Sequence, residues 1–427
     1  MRLSHLLLPA LTLANAHARD VVIQDGQWTN TTSGEKIVLT GTNVVMKGDP
    51  WLPAVEGSAI CDSTESTGSS TSCQTFNEAD VNHIKSLGYN MIRLGVIWAG
   101  AQPDGPYTDL NTDLLDRLNA ILDLCEKHDL QVLIDLHQDA IGTAVCGEGV
   151  PMWFSQLAIP NQIGKPLWPL PTLDDGTCGR NDTETWAQYA GDVDYNLKNL
   201  CCRKLSGGNW GQLTSTSQAQ ETMLFTFTKG RDMFADFAGK VAEAVNNKPA
   251  AFGIELMNEP PAIERSVMYK AWQTAAEAIR EFSDDIAVGI ADTANGALPI
   301  GNFDLRKETV DWLTTGDKHL FYAFHWYGTP ETPDTAIDNA IGLGEKWGMP
   351  VHLTEFGGYG GDDYGCATQR AAKAAGVGSS YWHYSDYCWP KHCPDGSPDG
   401  YCPLPDGDRW GACITGWGSG NNSFACP

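Results

Sequence analysis

From residue 37 onward, short apolar runs rich in β-branched residues alternate with longer stretches whose apolar positions recur every three or four residues. The runs Ile37–Val45, Met91–Val96, Gln131–Leu136, Phe252–Leu256, Ile286–Ile290, Leu320–Phe324, Val351–Thr354 and Ser379–Trp382 predict eight strands, taken here in that order. Between them lie amphipathic stretches. One runs from about Asn77 to Leu87. A second, Thr112–Lys127, carries Leu114, Leu115, Leu118, Ile121, Leu122 and Cys125 on one stripe, and a third is marked by Met233, Phe234, Phe237, Val241 and Val245. Strand and helix in alternation read as parallel βαβ units. Eight such units close most simply into a (β/α)8 TIM barrel. An open doubly wound sheet is the alternative, but no Gly-rich dinucleotide fingerprint follows the first strand.

Two regions break the pattern. Gly142–Thr216, after the third strand, is rich in Gly, Pro, Trp and Cys, and reads as a long functional or cross-linked loop over the barrel's C-terminal face. The tail from Cys388 to Pro427 carries five cysteines and several Pro-Asp-Gly turns, and reads as a short cysteine-rich extension pinned by disulfides. A Ser/Thr-rich surface loop, Ser63–Ser72, is expected to be closed by Cys61 and Cys73. At the other end, Arg2 and His5 precede the apolar run Leu6–Ala14, and small residues then fit cleavage after Ala16 or Ala18. The expected organisation is a signal peptide over residues 1–18, the (β/α)8 barrel over 19–387 and the extension over 388–427.

Composition narrows the function classes. A net charge of −25 argues against nucleic acid and against an anionic membrane surface as partner. No segment beyond the leader is long and apolar enough to span a bilayer, and a monomer is expected. Most of the 13 cysteines fall in loop-like stretches, which is disulfide usage in an oxidising compartment. The odd number leaves one thiol over, and Cys125, on a predicted helix, is the candidate. Zinc is the rival reading, but no CxxC pair occurs. Sequons at Asn30, Asn181 and Asn421 fit glycosylation, so the chain is expected to be secreted.

The candidate chemistry rests on two carboxylates. Glu259 ends Phe-Gly-Ile-Glu-Leu-Met-Asn-Glu just past the fourth strand, and Glu355 ends Val-His-Leu-Thr-Glu at the seventh. Alone, either reads as a solvated loop carboxylate. Together, at the ends of two different barrel strands, they match what glycoside cleavage needs: one group to protonate the leaving oxygen and one to attack the anomeric carbon. Asn258 is placed to donate to a sugar 2-hydroxyl, and Pro260 stops the strand. Glu255, one alternation step inside the strand, reads as an interior barrel residue.

With these residues the sequence resembles glycoside hydrolase family 5, the cellulase-like family, from about Ile37 to Tyr384. The resemblance implies Glu259 as acid/base and Glu355 as nucleophile of a retaining enzyme without metal or organic cofactor. It further implies that Arg93, in Asn-Met-Ile-Arg-Leu, hydrogen-bonds the nucleophile and that His137 lies near the cleavage subsite. It assigns His325 and Tyr327, in Phe-His-Trp-Tyr, to the acid/base and the nucleophile respectively, and Trp382 to an apolar platform under a sugar ring. A finer resemblance, to the endoglycoceramidase branch, lies in Asn43-Val-Val-Met-Lys47 and in Leu136-His-Gln-Asp139. It implies that Lys47 and Asp139 bracket the hydroxyls of one glucose unit. Enzymes of that branch usually carry a C-terminal β-sandwich, where this sequence has the cysteine-rich tail. The expected activity is cleavage of the bond between glycan and ceramide of glycosphingolipids. The alternatives are an endo-β-glucanase and a non-catalytic carbohydrate-binding protein. The expected partner is thus a β-linked glycan or glycolipid.

Overall fold

A computed structural model describes residues 19–47, 50–55, 75–142, 148–161, 214–261, 263–292, 307–317, 319–328, 332–357, 362–384, 401–403, 409–411, 424 and 426. The leader, the Cys61–Cys73 loop, and the sequons at Asn181 and Asn421 lie outside these residues. So do much of the segment after the third strand and most of the tail.

The predicted barrel is present. Strands β3 (Thr40–Val44), β4 (Met91–Val96), β5 (Gln131–Leu136), β6 (Ala251–Glu255), β7 (Ala287–Ile290), β8 (Leu320–Trp326), β9 (Val351–Phe356) and β10 (Gly378–Tyr381) form a closed ring in sequence order. All eight neighbouring pairs are parallel, and β10 closes the ring on β3. Outside the ring stand α1 (Glu78–Ser86), α2 (Trp98–Ala101), α3 (Thr112–Lys127), α4 (Met152–Ala158), α5 (Ser215–Thr226), α6 (Thr228–Val245), α7 (Arg265–Arg280), α8 (Lys307–Asp311), α9 (Pro333–Trp347) and α10 (Asp362–Ala374). Local signals place their ends. Asn77 and Asp80 make a capping box for α1, and Asn111 caps α3. Pro333 opens α9, and Gly348, at φ 70°, closes it. The apolar stripe of α3 packs inward with Cys125, the expected spare thiol, which is buried and free.

Two expectations need correction. Ile37–Leu39 is not part of the first barrel strand. It continues an N-terminal hairpin, β1 (Val21–Gln24) and β2 (Gln27–Asn30), and Ile37 N donates to Trp28 O at 3.0 Å. Asp25 and Gly26, both at positive φ, form the hairpin's two-residue turn. Second, the expected long irregular loop contains a helix, α4, whose Trp153 and Phe154 pack on Trp98 beside Phe234 and Phe237 of α6. Burial of those aromatic faces orders a stretch that lacks helical periodicity. The tail also contains a short antiparallel pair, β11 (Tyr401–Pro403) and β12 (Arg409–Gly411). Its end is pinned as expected: Cys426 is disulfide-bonded to Cys366 of α10, and the Phe424 ring stacks on Tyr381 at 3.6 Å.

The hairpin positions the site by closing the other end. Trp28 packs with Phe252 and Phe321, from β6 and β8, at 5.3 and 5.1 Å, in a cluster with Met91, Leu133 and Leu39. This apolar plug fills the barrel near the strand starts, so polar side chains are left to the C-terminal end. We expect Trp28→Ala to destabilise the fold by about 3–5 kcal/mol through the cavity it leaves. The turnover of a site at the opposite end should fall less than about twofold. Denaturant midpoints and kinetics at one temperature check this, and an unchanged midpoint contradicts the plug.

Candidate active site

The site is organised around Arg93, which projects from β4 into the barrel and has no solvent exposure. A buried guanidinium requires both counter-charge and a partner for each N–H. Here all five N–H groups donate. Nε and Nη2 form a fork on Glu255 at 2.7 and 3.0 Å. Nη1 donates to Asn43 Oδ1 and Glu355 Oε1, both at 2.8 Å, and Nη2 also donates to Asn258 Oδ1 at 3.0 Å. Asp135 Oδ1 adds an ion pair at 3.0 Å. Burial works against the charge, but Asp135, Glu255 and Glu355 outweigh it and hold the guanidinium firmly protonated.

Above this layer the two predicted carboxylates face each other. One oxygen of Glu259, one of Glu355 and a ring nitrogen of His325 all lie within 4.8 Å of one another. His325 Nδ1 stands 3.0 Å from Glu259 Oε1 and 3.4 Å from Glu355 Oε2, so one imidazole bridges the pair. Burial disfavours the imidazolium, but Glu355 and Glu259 raise its proton affinity above the ordinary histidine value. Tyr327 Oη donates to Glu355 Oε2 at 2.8 Å, so with Arg93 both oxygens of Glu355 accept hydrogen bonds. Glu259 sits at φ 40°, a left-handed conformation that is strained for a residue with a β-carbon. Burial, then the charges of Glu355 and Asp139, push its carboxyl above the ordinary range, against the pull of His325.

A second charged group lines one side. Lys47, just past β3, is ion-paired with Asp139, and with Glu148 at 3.0 Å. The backbones of Asp139 and Glu148 exchange hydrogen bonds at 2.7 and 3.0 Å, which sets two like charges side by side. Lys47 compensates that repulsion. Burial opposes the Lys47 charge, but the two carboxylates hold it on. Burial and Asp139 push the Glu148 carboxyl up to about 7. His137 Nδ1 bonds Asp135 Oδ2 at 2.6 Å, and its ring stacks on Trp382 at 5.5 Å. Asp135 outweighs burial and raises His137 to about 9. Lys47 Nζ stands 4.9 Å over the Trp382 ring, which is only half-buried.

All ten residues singled out in the sequence therefore converge on the C-terminal end of the barrel. Asn258 is more engaged than expected, since one of its amide N–H groups already bonds Gln138 O at 2.9 Å. Sequence reasoning passed over Glu148, Asp135 and Asn43. Asn43 opens the quoted first-strand motif, Asp135 lies in the predicted third strand just before its quoted motif, and strand alternation puts Asp135 on the face of His137. Glu148 is paired through the loop backbone and carries no local signal. Two described clusters, His137–Asp139–Glu148 and Glu259–His325–Glu355, have ligand atoms close enough to hold a cation. The ammonium of Lys47 already serves the carboxylates of the first, and in the second His325 already stands between the two carboxylates.

A family profile described as Cellulase (glycosyl hydrolase family 5) matches residues 57–388, which includes both glutamates. The chain belongs to glycosyl hydrolase family 5. It is 28% identical over 227 residues to an endoglycoceramidase of Hydra vulgaris, covering 53% of this chain and 38% of that protein. It is 24% identical over 414 residues to endoglycoceramidase I of Rhodococcus hoagii (strain 103S), covering 88% and 69%. The matched region thus spans well under half the length of the Hydra relative. Among solved structures, endo-glycoceramidase II from Rhodococcus sp. in complex with ganglioside GM3 matches with a TM-score of 0.59 at 19% identity, covering 90% of this chain and 80% of that one. An endogalactoceramidase matches at 0.60 and 17%, covering 92% and 82%. At these identities the structural matches establish the fold. Among the described residues no helix is long and apolar enough to cross a membrane.

Arg93→Lys keeps the charge but replaces five planar donors with three on a point charge. We expect a loss of about 3–5 kcal/mol in unfolding free energy from carboxylates left without partners. The loss in kcat/KM should be at least about a hundredfold. Near-wild-type values of both would remove Arg93 from its organising place.

Proposed function

We propose that this family 5 enzyme cleaves a β-glucosidic bond with retention, and that its substrate is a glycosphingolipid. The approach of Glu259 and Glu355 to within 4.8 Å carries the mechanism, since retaining pairs stand about 5–5.5 Å apart and inverting pairs farther. Glu355, oriented by Arg93 and Tyr327, attacks the anomeric carbon while Glu259 gives its proton to the leaving oxygen. Glu259 then takes a proton from water, which attacks the glycosyl–Glu355 ester and restores both groups. His325, between the two carboxylates, offsets their repulsion. Lys47 and Asp139 bind hydroxyls of the sugar next to the cleaved bond, over Trp382. The similarity to endoglycoceramidases, together with this Lys47–Asp139 pair, supports ceramide as the aglycone. The apolar run Leu6–Ala14 and the Cys366–Cys426 disulfide support export.

Ceramide release from glucosylceramide and lactosylceramide, measured beside cleavage of soluble β-glucan oligosaccharides, tests the substrate. Release of ceramide with idle glucans is expected, and cleavage of glucans alone would make the enzyme an endo-β-glucanase. Glu355→Gln should abolish turnover of every substrate, and wild-type turnover would remove it as nucleophile. Protonated Glu259 is the working form in the first step, so kcat/KM should fall on the alkaline side as it ionises. Asp139→Asn removes one charge that raises Glu259, so that limb should move to lower pH. A limb that stays in place or moves upward refutes the assignment.

A further inference from the structure

The left-handed conformation of Glu259 needs something to hold it, because the turn after a strand relaxes to negative φ unless its surroundings fix it. The carbonyls on either side of the Glu259 α-carbon, those of Asn258 and Glu259, converge on a single side-chain nitrogen. Gln138 Nε2 donates to Asn258 O at 2.7 Å and to Glu259 O at 2.9 Å. Its two N–H groups are thereby both used. The amide is itself locked: its Oε1 accepts from Ile141 N at 2.8 Å. Its backbone carbonyl accepts from Asn258 Nδ2, so the two loops hold each other from both sides. Gly149 packs so closely behind Gln138 that an added β-carbon would stand 2.6 Å from Gln138 Cβ. Gln138 is 4% exposed and touches neither carboxylate of the pair through its side-chain amide.

We infer that Gln138 is a positioning residue for proton transfer: it clamps the peptide units flanking Glu259 and so aims that carboxyl at the leaving-group oxygen. This rests on the reading of Glu259 as acid/base. Its consequence is selective. Protonation is needed in proportion to the basicity of the leaving group, so loss of the clamp should spare activated aglycones and penalise poor ones. A merely structural role lowers all of them alike.

The test uses aryl β-cellobiosides with leaving phenols from 2,4-dinitrophenol to phenol, and the full chain carrying Gln138→Met, which keeps length but has no donor. The expected result is a loss in kcat/KM of about tenfold or more for the phenyl substrate and under about twofold for the dinitrophenyl one. Glu259→Ala, run beside it, should show a steeper dependence of the same kind. Equal losses across the series, or none, overturn the proposal for Gln138. If Glu259→Ala steepens the series and Gln138→Met does not, the clamp alone fails. If Glu259→Ala does not steepen it, the acid/base reading fails and the clamp with it. Gln138→Glu, close in shape but opposing the two carbonyls with an acceptor, gives the same comparison should the Met variant not fold, as judged by circular dichroism.

Discussion

A single positive charge without access to water holds this site together. Arg93 lies at the level where the barrel's apolar filling ends and its polar end begins, and it is shared by carboxylates from three other strands. Removing those carboxylates and the guanidinium from water is costly, and only complete hydrogen bonding offsets that cost. For the guanidinium the condition is met by Asn43 of β3 and Asn258 just past β6, which take the donors the carboxylates leave over, while Asp135 Oδ1 is held by the ion pair alone. Because every donor is committed, the guanidinium cannot turn, and neither can Glu355 without breaking a charge-assisted bond. The fixed orientation of Glu355 is thus a property of the whole layer.

The layer also explains the division of the interior. Below it, Trp28, Phe252 and Phe321 pack with β-branched and aliphatic neighbours, and His352, driven well below its ordinary range by burial and by Arg93, stays neutral. Above it nearly every inward-facing group is ionisable. Burial and like charge would drive such groups to neutralise. They are instead arranged in alternation: Glu148, Lys47, Asp139, His137 and Asp135 on one side, and Glu259, His325 and Glu355 on the other. A neutral sugar with many hydroxyls suits such a surface, since each hydroxyl can donate to an acid and accept from a base.

Much of this was legible in the sequence because barrel strands leave a strong trace. Met91–Val96 and Gln131–Leu136 are read to the residue, since both are buried throughout and bounded by turns. Glu259 and Glu355 are legible because each stands at the end of such a run. The hairpin at Val21–Asn30 was missed although Asp25-Gly26 signals its turn, because its strands are only four residues long and its function is to plug, not to join the ring. Glu148 and the helix around Trp153 were illegible for another reason. Their places are set by contacts from distant segments, Lys47 in one case and α6 in the other, and single-sequence periodicity carries no record of partners that far away.

The seam of the ring joins the first of its strands to the last. Thr42 Oγ1 donates to Tyr381 O, a partner 339 residues further along the chain. During synthesis β3 must therefore wait, one edge unpaired, until the residues of β10 have been made. Arg93 emerges first, with Asp135 and Glu255 following, but Glu355 arrives 262 residues after Arg93, so the charge layer is incomplete until then. Closure of the ring and completion of the site are one late, long-range event, with the loop-closure entropy that implies. A chain of this topology is most exposed to misassembly just before its last barrel strand docks, and that strand is the one whose Tyr381 ring stacks on Phe424.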